Sequence, residues 1–183
     1  MPFSRRIRSS RSAGFTLLEL LVVVYVVAVV SSVAVAGFRH ARANGGEAVA
    51  AAALHTLNQA QFAFAQSCGD QRYSPTLTGL GMPMPTTGRA FISPDLVGDP
   101  VVKSGYRFAM AGTPVTDGRQ ACNGLVPVVS YQVSADPTSP GVSGNLFFGT
   151  NTDRVVYSDT STFTGNMPES GPPGHGSEVK KLK

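Results

Sequence analysis

Charge is scarce in this sequence: Asp, Glu, Lys and Arg together make up 14% of it, and from Leu20 to Phe38 there is none. Histidine is scarcer. His40, His55 and His175 show no ligand spacing, and His40 and His55 read as surface or interface residues. Cysteine occurs twice, at Cys68 and Cys122, and two cysteines without a histidine cluster make half a metal site. Nucleophile elbows, phosphate loops, HExxH and EF-hand patterns are missing. Serine and threonine are plentiful but lack histidine partners. Asp153 and Asp159 flank one strand-like stretch, yet a hard cation takes six or more oxygens and the acid supply is thin. These gaps argue against an enzyme and against a resident metal or other cofactor.

The formal charge of +4 does not describe a basic protein. Arg5, Arg6, Arg8 and Arg11 stand before Gly14 with no acid among them. Of fifteen basic residues these are four; the remaining eleven face eleven acids. A global field for nucleic acid is not supported. A DNA-binding arm is the alternative use of such a cluster, but an apolar run follows at once. Arg-rich flanks of that kind hold the cytoplasmic side of a membrane segment.

The run covers residues 15–38, 24 positions, and about 20 apolar residues suffice to cross a bilayer core as a helix. A helix this apolar on every face is otherwise the core of a large protein, and the rest of this chain is too small to wrap it. Both cysteines lie beyond the span, on the side opposite the arginines, where a disulfide persists. A Cys68–Cys122 bond would stabilise the domain by roughly 4 kcal/mol in the chain-entropy model. Two free buried thiols are the alternative.

The N-terminus admits three readings. A secretory signal accounts for the basic start, the apolar run and an A-x-A match at Ala34–Val35–Ala36, which predicts a mature start at Gly37. A plain signal anchor accounts for the length. Neither uses Glu19, whose carboxylate sits inside the run and costs up to about 3 kcal/mol there. The third reading uses it. Gly14-Phe15-Thr16-Leu17-Leu18-Glu19 resembles the class III leader of type IV pilins and type II secretion pseudopilins. The resemblance implies cleavage between Gly14 and Phe15 by a prepilin peptidase, N-methylation of Phe15, and subunit pairing through Glu19 in a filament core. A buried carboxylate facing an ammonium is partly compensated, and a wrong register leaves both unpaired, so such a pair specifies stagger.

After the span, Arg39, His40 and Arg42 mark the exit. Val49, Ala52, Ala53, Leu57, Ala60 and Phe64 recur at three- and four-residue steps, one face of an amphipathic helix. Gly45-Gly46 predicts a bend or soft site, at about 1 kcal/mol per glycine. No proline occurs between Phe15 and Gln66, and Ala36-Gly37 stands where many members of the family carry one. From Gly69 the composition turns to Pro, Gly, Ser and Thr. Tyr73–Gly81 reads as loop and Met82-Pro83-Met84-Pro85 as a stiff linker. Strand alternation places Tyr106, Phe108 and Met110 on one face, then Val129, Tyr131 and Val133 on another; 145–149 and 154–158 flank a turn at 150–153.

The expected fold is therefore α+β: a pilin-like roll in which a long N-terminal helix, membrane-spanning then amphipathic, packs on three or four antiparallel strands. The expected organisation is a leader at 1–14, a core helix at 15–38, a half-helix at 39–68, a β domain at 69–163 and a flexible tail at 164–183. The expected function is a type IV pilus or pilin-like filament subunit, with a secretion pseudopilin or an adhesive or DNA-uptake minor pilin as alternatives. The implied partners are prepilin peptidase, identical or related subunits, an inner-membrane assembly platform and membrane lipid. The implied location is the inner membrane, N-terminus cytoplasmic and C-terminal domain periplasmic, before assembly into the filament.

Overall fold

The computed structural model describes residues 14–174 and 180–182. Arg5, Arg6, Arg8 and Arg11, His175 and Lys183 lie outside the described residues. The chain divides into two compact units after Phe38. Helix α1, Leu17–Ser67, contributes to both.

In the first unit every side chain described is exposed, among them Leu17 at 83% and Phe38 at 69%. Among the described residues of this unit the helix has no apolar partner, and it is long and apolar enough to cross a membrane.

The second unit is a helix on a sheet. Six strands follow one another in sequence order, all antiparallel: β1 Val101–Lys103, β2 Tyr106–Pro114, β3 Val128–Pro137, β4 Phe147–Asn151, β5 Val156–Asp159 and β6 Lys180–Leu182. The expected α+β layout is present, with two more strands than expected. The extra ones, β1 and β6, have three residues each, too few to display alternation. Between β1 and β2 only Ser104 and Gly105 intervene, both at positive φ, the conformation a tight hairpin requires. A five-residue helix, α2 Leu77–Gly81, occupies the stretch expected as loop; Thr76 caps it by accepting from the Gly79 N–H.

The core lies between α1 and the sheet. Leu54, Leu57 and Phe64 from the helix meet Tyr106, Phe108, Tyr131 and Val133 from β2 and β3, all buried. Each contributes roughly 1.5–3 kcal/mol of apolar transfer. Ala53, Leu57, Ala60 and Phe64 of the expected face are buried, and the buried face departs from the expected one at its edge. Val49 and Ala52 are exposed, while Ala50, Leu54, Asn58 and Gln61 point inward. Apolar spacing misplaces that edge because alanine is neutral between the two environments and two of the inward residues are polar. β3 carries a similar correction: Val129 is 52% exposed and Val128 is buried. The register jumps from Thr113↔Ser130 to Pro114↔Val128, so Val129 is the extra residue of a bulge and turns outward.

The inward amides are paired. Tyr131 donates its phenolic O–H to Asn58 Oδ1 at 3.0 Å, and Asn58 Nδ2 donates to Thr150 Oγ1 at 2.9 Å. Burial raises the Tyr131 phenol well above its ordinary value and keeps that donor protonated. Gln61 forms a closed pair with the main chain of Ser74: its Nε2 donates to the carbonyl at 3.0 Å and its Oε1 accepts from the N–H at 2.9 Å. Gln61→Leu would orphan both buried backbone groups, at about 1–3 kcal/mol each. Thermal unfolding should show a fall of roughly 5–15 °C. The exposed neighbour Gln59→Leu is the control and should shift little.

Gly45-Gly46 does not interrupt α1. A Cβ on Gly45 would meet nothing within 4 Å, whereas one on Gly46 would stand 2.7 Å from the Ser143 carbonyl and 3.1 Å from that of Ser104. The second glycine serves a close approach of two backbones. Helix propensity alone predicts that alanine stabilises both positions by about 1 kcal/mol. The expected result differs: Gly45→Ala raises Tm, and Gly46→Ala lowers it through overpacking of about 1–3 kcal/mol. Equal rises would show that the approach at Gly46 is soft.

The last residue of the expected β domain, Phe163, and the start of the expected tail cover the outer face of the sheet together. Phe163 and Met167 are buried and pack with Tyr157, and Phe147 and Val155 join them. Gly149 makes room; its Cβ would lie 2.9 Å from Met167 Sδ. Glu169 accepts from Thr113 Oγ1 at 2.9 Å and from the Ser130 hydroxyl. All four residues of β5 are buried as a result. Gly- and Pro-rich composition concealed this, because two large apolar residues in a polar stretch suffice when a second sheet face awaits them.

Candidate functional site

Gly14, Phe15 and Thr16 precede the helix and are outside it. Phe15 is 76% exposed, and a Cβ on Gly14 would meet nothing within 4 Å. The Gly14–Phe15 bond thus lies in open, non-helical chain immediately before α1. A peptidase needs such a bond, because a helical peptide must unwind before it can be cut.

Thr16 starts the helix. Its Oγ1 accepts from the Glu19 N–H at 3.2 Å, and its carbonyl accepts from the Leu20 N–H at 3.2 Å. Thr16 is therefore the N-cap and Glu19 the third helical residue, the spacing of a capping box. The sequence reading missed this role for Thr16, although Thr-x-x-Glu before an apolar run is its signal. A carboxylate in the first turn also complements the helix dipole. Glu19 is exposed among exposed Leu18 and Leu20. Among the described residues its carboxylate makes no ion pair. Cap, dipole and apolar surroundings hold one acid at a defined height on a stretch, residues 17–38, that is otherwise uncharged.

At the far end of α1, Cys68 and Cys122 are disulfide-bonded, with Cα atoms 4.8 Å apart. The bond ties the helix terminus to the connection between β2 and β3. Two ion pairs flank it, Arg72–Asp117 at 2.7 Å and Arg119–Asp70 at 2.9 Å. Both are partly exposed and add little by themselves.

Among the described residues no group of three or more His, Cys, Asp or Glu side chains converges as a metal site. Asp153 accepts from the Gly171 N–H and so ties down a distant segment, while Asp159 accepts from Thr160 and Ser161 in its own turn. His55, Asn58, Gln59, Phe62, Asp153 and Arg154 line an open concavity of about 440 Å³. Its principal contact is the Arg154 guanidinium, 4.8 Å from the Phe62 ring centre. No serine, threonine or cysteine lines it, so His55 has no nucleophile to activate there.

Comparison with known families matches residues 9–35 to the prokaryotic N-terminal methylation motif. No curated protein and no solved structure matches the chain. The matched residues include Gly14, Phe15 and Glu19 and stop before the second unit begins. The chain therefore carries a class III prepilin leader, the N-terminal signature typical of type IV pilins and pseudopilins.

Proposed function

We propose that this chain is the structural subunit of a type IV pilus or pilin-like filament. The observation that carries the reading is the methylation motif at 9–35, which runs into a helix whose described side chains are all exposed as far as Phe38. Prepilin peptidase cuts after Gly14 and the new N-terminal Phe15 is methylated. Residues 15–38 hold the subunit in the inner membrane, with the C-terminal domain on the periplasmic side, until the assembly platform transfers it into the filament. There the same residues exchange lipid for neighbouring helices. The uncharged surface suits both environments, so the transfer requires no repacking of the subunit. Glu19 faces the Phe15 amine of a neighbour and sets the axial step. The disulfide-tied second unit is the part left outside the helical core. The role is structural, and catalysis belongs to the peptidase.

Intact mass and N-terminal peptide mapping of protein recovered from membranes and from sheared surface filaments test this. The expected species begins at N-methylated Phe15 and appears in both fractions. A start at Gly37 in a soluble fraction would mean ordinary signal cleavage and overturn the reading. Correct processing with retention in the cell envelope would favour a secretion pseudopilin.

A further inference from the structure

The second unit has one end whose surface chemistry the filament reading does not use. Arg39, His40 and Arg42 are exposed there, while the adjacent Ala43 is 4% exposed, so the domain's cover begins at Ala43. One helical turn on, at Gly46, the loop Ser139–Gly144 lies against α1 through the Ser143 carbonyl. Two contacts fasten it. Glu47 Oε1 accepts from the Asn145 N–H at 2.7 Å and the Leu146 N–H at 3.3 Å. The loop also closes on itself, with Ser143 N–H donating to the Ser139 carbonyl at 2.9 Å and Gly141 N–H to the Gly144 carbonyl at 2.9 Å. On this held loop Val142 is 68% exposed, and the stretch 138–146 carries no charge. Glu47 keeps its negative charge while it accepts from those amides, and Asp95 pairs with Lys103 at 2.7 Å. Arg39 and Arg42 outnumber Glu47 on this stretch of α1, and the loop that carries Val142 meets the helix at Gly46, four positions beyond Arg42.

We propose that this face docks on anionic lipid headgroups, with Arg39 and Arg42 at phosphate depth and Val142 set into the interface. The proposal rests on the reading that residues 15–38 cross a bilayer. The apolar run ends at Phe38 and Arg39 follows it in the chain, so the arginines enter the headgroup region by covalent continuity. Gly46 stands four positions beyond Arg42, about 6 Å of helix rise. The headgroup layer is itself about 5–7 Å deep on each side. Two arginines there favour an anionic over a neutral surface by about thirtyfold, at roughly fivefold each. Docking would hold the unassembled domain in one orientation on the membrane, and entry into a filament must break it.

The full chain in lipid vesicles provides the test. It contains no tryptophan, so Val142→Trp introduces a single fluorophore at an already exposed position. Vesicles are phosphatidylcholine, with or without phosphatidylglycerol, carrying bromine either near the headgroup or deep in the acyl chains. Tyr25→Trp in parallel reports the span. The expected result is quenching of the Val142→Trp variant by shallow bromine in anionic vesicles. That quenching should fall to the neutral-lipid level when Arg39→Gln and Arg42→Gln are added. Tyr25→Trp should be quenched by deep bromine throughout. Deep quenching at position 25 without shallow quenching at 142 overturns the docking and leaves the span intact. A blue-shifted but unquenched signal at 142 assigns the tip to protein contact and likewise overturns it. Absence of deep quenching at position 25 overturns the span, and the docking with it.

Discussion

Gly14→Val is expected to leave the chain unprocessed: full-length protein accumulates in membranes, no Phe15-started species is detectable, and surface filaments are lost. Position 14 makes the result interpretable. A Cβ there meets nothing within 4 Å, and the residue precedes the helix, so valine disturbs no contact of the folded chain. The second unit, the disulfide and Tm should all be unchanged. Whatever valine breaks is therefore in the encounter with the peptidase, where a β-branched side chain next to the scissile carbonyl both stiffens the backbone and fills space. Gly14→Ala should process slowly, for the same reason at smaller size. Immunoblotting for the mass difference and mass mapping of the N-terminus provide the check. A normal Phe15 start from Gly14→Val would refute the requirement for glycine at position 14.

Glu19→Val separates processing from assembly. The variant removes a carboxylate costing up to about 3 kcal/mol in the hydrocarbon region, so insertion improves. The first turn of α1 persists, since Thr16 caps it through the Glu19 N–H and not through the side chain. Cleavage after Gly14 should proceed. Filament yield should nevertheless fall at least tenfold, because the N-terminal ammonium of each subunit then enters an apolar core unpaired. Removing one partner of a buried ion pair typically costs 3–5 kcal/mol. Co-expression with the native chain should rescue in part, since mixed filaments still contain native pairs. Quantifying sheared filaments against membrane-bound mature protein gives the measurement. Wild-type yield from Glu19→Val would sink the pairing and leave the carboxylate as a helix-cap residue alone.

The N-terminal half of this protein is legible because its signals are local and charge-based. A carboxylate in an uncharged run, a glycine before phenylalanine and arginines upstream are rare enough to be read without tertiary information. The helix and the central strands follow from spacing in the same way, as Tyr106, Phe108, Tyr131 and Val133 illustrate. Reading by hydrophobicity failed where a residue's environment depends on a distant segment. Val49 and Ala52 fit an apolar stripe yet face solvent, because Asn58 and Gln61 find hydrogen-bond partners inside and turn the helix towards them. Gly46 looks like a weak point until the Ser143 and Ser104 carbonyls are beside it.

The sequence by itself determined the processing signal, the apolar helix, the position of its one acid and the α+β class. All of these depend on residue type, spacing and the transfer energy of side chains, which are properties of the chain before it folds. The tertiary structure alone decided where the buried face of the half-helix ends and where β3 bulges. It also decided that Gln61 stands in for a main-chain partner of Ser74, and that Phe163 and Met167 close the outer face of the sheet. Those outcomes depend on which groups meet across tens of residues, and no local pattern encodes a partner that far away.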